Sequence, residues 1–107
     1  RDIMVEKKRM LSIYRIAQEA CANVCKHSGA DTGRMSIVHS WPLVILNVSD
    51  NGRGIPGDRP VAQLSQHSLG IRSMMERADM LGGTLTITNG REGGVIVRAE
   101  IPLVPLG

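Results

Sequence analysis

From Ile3 to His27 the chain contains neither glycine nor proline, the residues that most readily end a helix, and no later stretch runs uninterrupted for so long. Within it Ile13, Ile16, Ala17, Ala20, Cys21 and Val24 recur at intervals of mostly three and four, which lines them along one helical stripe. The spacing predicts a long amphipathic helix over about 3–27 that must bury this stripe against other elements. Ser28, Gly29 and Gly33 then supply a stop and a turn. Two β-branched, apolar stretches follow at 34–40 and 43–49, parted only by Trp41 and Pro42, and predict an antiparallel hairpin with Asp50 at the end of its second strand. Residues 51–68 are rich in Gly, Pro and polar side chains and read as a long loop of the sort that is functional or mobile in a compact domain. A second helix is predicted over about 69–81, opened near Gly70 and ended by Gly82 and Gly83. The stretches "TLTIT" and "VIVRAEIPL", joined by a turn around "NGREGG", predict a second hairpin. The fold class expected from this order is α+β, a two-layer sandwich with helices on one face of a mixed, largely antiparallel sheet.

A length of 107 residues, 42% of them apolar, accommodates one small domain with one modest core. The net charge of +3 comes from 13 basic and 10 acidic residues spread along the chain, without the basic block that grips nucleic acid. Aromatic residues make up 2%, Tyr14 and Trp41 with no Phe, which leaves little to stack on unpaired bases, so a nucleic-acid partner is not expected. The two cysteines, Cys21 and Cys25, fall one helical turn apart with no further cysteine to complete a metal site. They read as free thiols in a reducing, cytoplasmic setting. Apolar runs such as "PLVIL" are far shorter than the roughly 20 residues a membrane helix needs, so no membrane contact by this domain is expected. The N-terminus has no signal-peptide pattern, and a first residue of Arg1 suggests a piece of a larger protein that could itself be membrane-anchored.

On the first helix Glu19, Asn23 and then Lys26 or His27 recur every three or four residues and form a polar stripe bordering the apolar one. A carboxylate and a carboxamide one turn apart are oxygen ligands suited to a hard divalent cation, and a cationic side chain a turn further on can neutralise phosphate oxygens. Helical spacing alone favours an ordinary solvated face, because such stripes are common. The run "NVSDNGRGIPGD" poses a similar choice, because an acid followed by spaced glycines after a strand also suits a surface turn.

"IYRIAQEACANVCKHSGA" resembles the N box of the ATP-binding domain of sensor histidine kinases, in the branch of nitrate and antibiotic-response sensors. "VSDNGRGI" resembles that family's D-x-G-x-G motif, and "LGIRSMMERADMLGGTLTI" resembles its second glycine box and following helix. The three motifs stand in the family's order across about 13–103 and identify the chain as a member of the GHKL ATPase superfamily, with its Bergerat-type sandwich. The resemblance implies that Asp50 accepts a hydrogen bond from the adenine amine and that Gly52 and Gly54 let the main chain pass close to the nucleotide. It also implies that Asn23 binds Mg²⁺, that Glu19 is catalytic and holds a metal-bound or attacking group, that Lys26 contacts phosphate and that His27 lies against ribose or adenine. Ile55, Ser68, Leu69 and Gly70 are the remaining nucleotide-binding positions implied, with residues 57–67 as an ATP lid. The implied activity is that of an ATP-dependent protein-histidine kinase: ATP and Mg²⁺ are bound, the γ-phosphoryl group passes to a histidine on a separate dimerisation domain of the same protein, and a response regulator follows.

Three positions depart from that pattern. "QHSLG" carries Gln66 and Ser68 where the second glycine box has glycine, and Val95 stands where the family has Ser or Thr near the adenine-binding acid. None of His27, His39 and His67 has an acid directly after it, as a phospho-accepting histidine of this family does. These departures leave two alternatives open, a nucleotide-free interaction module of the same fold and a serine protein kinase of the anti-sigma type.

Overall fold

Asp2 opens the first helix: its Oδ1 accepts the Val5 N–H at 3.1 Å and its carbonyl accepts the Glu6 N–H at 3.1 Å. The first bond satisfies an amide that a helix start leaves without an intrahelical partner, and the second is the first bond of the helix itself. The computed structural model describes residues 2–27, 33–52, 69–90 and 93–104, and within these the side chains of all but 23–27 and 69–70. Helix α1 (Ile3–His27) realises the uninterrupted segment in full. Ile13, Ile16, Ala17 and Ala20, at i, i+3, i+4 and i+7, are buried, as the stripe requires. Cys21 is a half-buried free thiol, whereas the side chain of Cys25 lies outside the described part.

Strands β1 (Gly33–Ser40) and β2 (Leu43–Asp50) form the first hairpin, in register from Gly33 opposite Asp50 to Ser40 opposite Leu43. On β2 the alternate residues Val44, Leu46 and Val48 are buried, the period of two expected of a strand with one face on a core. Helix α2 (Leu69–Met80) is followed by β3 (Thr84–Asn89) and β4 (Val95–Pro102). The sheet order is β1-β2-β4-β3 and every neighbouring pair is antiparallel, so the mixed alternative is excluded for this four-stranded sheet. β4 takes the inner place because it is apolar enough to be covered, with Val97, Ala99 and Ile101 buried. β3 carries exposed Thr84, Thr86 and Thr88 and suits an edge. The other edge, β1, is exposed along almost its whole length.

Both helices sit on the same face of the sheet and share one core with it. α2 contributes Met74 and Ala78, β3 contributes Ile87, and Leu103 closes the end beyond β4. α2 stops by the glycine route that "GG" predicts. The Gly83 N–H reaches the Ala78 carbonyl at 2.9 Å and the Gly82 N–H reaches the Asp79 carbonyl at 2.9 Å, with Gly82 at φ +74°. This is a Schellman ending, which needs a left-handed residue at the position Gly82 fills. Among the described residues, no helix is long and apolar enough to cross a membrane.

Arg9 ties three elements at one corner of the sandwich. Its Nε donates to the Pro102 carbonyl at 2.8 Å, and its Nη2 donates to the Leu81 carbonyl just past the end of α2. Replacing Arg9 by Ala leaves both acceptors without this charged donor and is expected to cost about 2 kcal/mol. Arg9→Lys should recover only part of that, since a single ammonium lacks the planar fork that serves both carbonyls. Urea unfolding of the three proteins measures the effect; a loss below about 0.5 kcal/mol for Arg9→Ala would contradict it.

Candidate functional site

The Arg9 corner gives the helices their direction. It lies where the Leu43 end of β2 meets the Pro102 end of β4, so α1 leaves that end of the sheet and α2 arrives at it. Glu19 and the later turns of α1, together with the start of α2 at Leu69 and Gly70, therefore lie away from that corner, toward the end of the sheet that holds Asp50. Glu19 is half-buried on this part of α1. Asn23, Lys26 and His27 follow on the last turns of the same helix, and their side chains lie outside the described part, as do those of Leu69 and Gly70. Gly54, Ile55, Ser68 and the lid positions 57–67 fall outside the described residues altogether.

Asp50 is the last residue of β2, on the same face of the strand as the buried Leu46 and Val48. It thus continues the helix-facing side of the sheet while standing past the core's edge, and it is half-buried there. Its Oδ1 accepts the Gly52 N–H at 2.8 Å. The side chain so closes a turn over its own backbone, the local bond that favours Asp in such places. The bond turns Oδ1 toward the chain's own backbone. The choice left open by the sequence is narrowed here: Asp50 shapes its turn, and the same carboxylate stands at the end of the sheet toward which α1 runs.

Val95 is one step past the last β2–β4 pair, Ser49 opposite Ile96, and so stands beside Asp50 across the ladder. It is half-buried and packs against the core. Where a hydroxyl would offer a donor to a ligand held by Asp50, this chain presents methyl groups. Two residues went unnoticed in the sequence. Gly93 and Gly94 end the turn between β3 and β4, both with positive φ, +100° and +77°, and both face the turn after Asp50. A consecutive glycine pair directly before a strand was the signal available for them, but nothing in the sequence points it at Asp50. A separate shallow groove between α1 and α2, lined by Ser12, Ser73, Glu76, Arg77, Met80 and Leu81, lies at the Arg9 end of the helices and is remote from these groups.

Residues 9–105 match the family described as histidine kinase-, DNA gyrase B-, and HSP90-like ATPase. The chain is 32% identical over 93 residues to the signal transduction histidine-protein kinase/phosphatase DegS of Bacillus subtilis, a match covering 87% of this chain and 24% of that protein. It is 35% identical over 92 residues to the oxygen sensor histidine kinase NreB of Staphylococcus carnosus, covering 85% of this chain and 25% of that one. The fold superimposes on the crystal structure of the ATP-binding domain of PrrB from Mycobacterium tuberculosis with a TM-score of 0.70 at 30% identity, covering 86% of this chain and 67% of that one. The chain thus spans about a quarter of the length of these curated relatives.

Proposed function

Since the chain belongs to the histidine kinase-, DNA gyrase B-, and HSP90-like ATPase family, we propose that it binds ATP together with Mg²⁺ and, within a larger sensor kinase, donates the γ-phosphoryl group to a histidine. The acceptor is a histidine on a separate dimeric helical domain, from which the phosphoryl group passes to an aspartate of a response regulator. The observation that carries this reading is the placement of Asp50: a half-buried strand-end carboxylate, on the same face of β2 as the core residues, with one oxygen held by the Gly52 amide at 2.8 Å. A carboxylate fixed in this way can accept the exocyclic amine of adenine. It would meet the carbonyl of guanine as acceptor against acceptor, which sets the preference for adenine.

The donor set on α1 fits the metal. Glu19 and Asn23 lie one helical turn apart and offer hard oxygens of the kind Mg²⁺ accepts, few in number because phosphates and water fill the remaining positions. When bound, the cation supplies charge neutralisation on the phosphate oxygens. Lys26, one turn beyond Asn23, adds positive charge toward the phosphates, and His27 flanks the ribose or adenine. α2 begins at Leu69 and Gly70, and a helix N-terminus attracts anions, so this end of α2 would meet the phosphates, with Ser68 beside it in sequence. Glu19 orients the attacking group, so that an imidazole nitrogen forms the new N–P bond as the bond to the β-phosphate oxygen breaks and ADP leaves. Most of the rate enhancement comes from positioning and charge neutralisation.

The test supplies a dimeric histidine hairpin in trans together with ATP labelled at the γ-phosphate. Label should appear on the hairpin with the wild-type chain. Glu19→Gln should bind an ATP analogue in the absence of Mg²⁺ within about twofold of wild type yet transfer label slower by about 100-fold or more. Equal transfer by both proteins would remove Glu19 from the chemistry, and brisk ATP hydrolysis without any hairpin would replace the kinase reading with a self-sufficient ATPase. The apolar Val95 beside Asp50 favours one second reading, a module that keeps the fold and has lost tight nucleotide binding.

A further inference from the structure

Gly94 is buried at the end of the β3–β4 turn, at a position where no side chain fits. A Cβ built there would fall 1.8 Å from the Asp50 carbonyl oxygen, 2.5 Å from its carbonyl carbon and 2.8 Å from its carboxylate Oδ1. The turn is closed from its other side, with the Gly90 N–H on the Gly94 carbonyl at 3.0 Å and the Gly93 N–H on the Gly90 carbonyl at 3.3 Å. Gly94 therefore cannot retreat without opening the hairpin. Oδ1, the oxygen the turn approaches, is also the one that accepts the Gly52 N–H.

We propose that Gly94 is a positioning residue for base recognition: its bare Cα forms the wall against which Asp50 rests, fixing which carboxylate oxygen faces the nucleotide. The proposal rests on Asp50 being the adenine acceptor. A methyl group at residue 94 would displace the Asp50 main chain and crowd Oδ1 off the Gly52 amide, so the second oxygen would no longer be held in one direction. The effect is specific to the base, because a misdirected carboxylate loses its discrimination between an amine and a carbonyl, while contacts to phosphate are made elsewhere.

Gly82 provides a matched control. Its φ of +74° is close to the +77° of Gly94, so alanine carries a similar backbone penalty at either place, but a Cβ at residue 82 meets nothing within 4 Å. Wild type, Gly82→Ala, Gly94→Ala and Asp50→Asn are compared by calorimetric titration with ATP and GTP analogues, by thermal melting, and by the Gly52 amide resonance without nucleotide. Gly94→Ala is expected to lose about tenfold or more in ATP-analogue affinity, to lose most of the ATP-over-GTP preference and to shift the Gly52 amide further than Asp50→Asn, which keeps an acceptor for it. Gly82→Ala carries the φ penalty without the clash, so it should be destabilised less while keeping affinity, preference and the Gly52 amide position. Equal nucleotide preference in the two glycine variants, with an unmoved Gly52 amide, would overturn the proposal. A Gly52 amide that moves in Gly94→Ala alone, in a chain that binds no nucleotide in any form, would support the positioning contact and overturn the nucleotide reading. Should Gly94→Ala fail to fold, the wild type still decides: nuclear Overhauser contacts from the Gly94 Hα protons to the Asp50 side chain are expected, and their absence would overturn the contact.

Discussion

Asp50→Asn is expected to lower ATP affinity by about 50-fold, or about 2–3 kcal/mol, with almost no change in folding stability. The reason is the hydrogen bond already in place. The asparagine carbonyl oxygen can keep accepting the Gly52 N–H as Oδ1 now does, so the turn survives. That choice places the amide NH₂ where the other carboxylate oxygen stood, donor against the donor amine of adenine, and the charge assistance is lost as well. A guanine carbonyl, by contrast, would gain a donor, so the ATP-over-GTP ratio should fall by more than the ATP affinity. Calorimetric titration with both analogues, beside a thermal melt, separates binding from folding. An ATP affinity within about twofold of wild type would exclude Asp50 as the base acceptor.

Leu46→Ala is expected to have the largest effect on stability, about 3 kcal/mol. Leu46 is fully buried at the middle of β2, paired with Ile37 on one side and Ala99 on the other, and shares the core with Ile13 and Ile16 of α1. The ladder on both sides prevents the strand from collapsing into the space, so the cavity term adds to the lost transfer energy. For a chain of this length that is a large fraction of total stability, and the melting temperature should fall by roughly 10–20 °C. A loss below about 1 kcal/mol would show that the sheet is looser than the burial of Leu46 implies.

The elements were legible wherever a strong period met clear punctuation. The interval without Gly or Pro became α1 from Ile3 to His27, and the "GG" after residue 81 became the Schellman ending of α2. β-branched, apolar content marked the strands but not which strand lies beside which. Thus β4 between β2 and β3 could not be read from the second hairpin alone, since a hairpin can attach by either of its strands. The tie made by Arg9 was hidden for a related reason: a lone arginine on a helix gives no sign of carbonyls from residues 81 and 102 converging on it. Asp50 was legible as a strand-end acid followed by spaced glycines, and the family confirms the ATPase fold those motifs imply. Gly94 was not, because its meaning comes from an approach to Asp50 across the β2–β4 ladder, which only the folded register creates.

The central claim, a nucleotide pocket built around Asp50 and the polar stripe of α1, is tested most directly by titrating the purified chain with a non-hydrolysable ATP analogue, with and without Mg²⁺, by calorimetry. The expected result is saturable one-site binding that Mg²⁺ strengthens by about tenfold or more, through the oxygens of Glu19 and Asn23. A folded chain that shows no heat of binding in either condition would contradict the claim and leave an interaction module with Val95 closing the pocket.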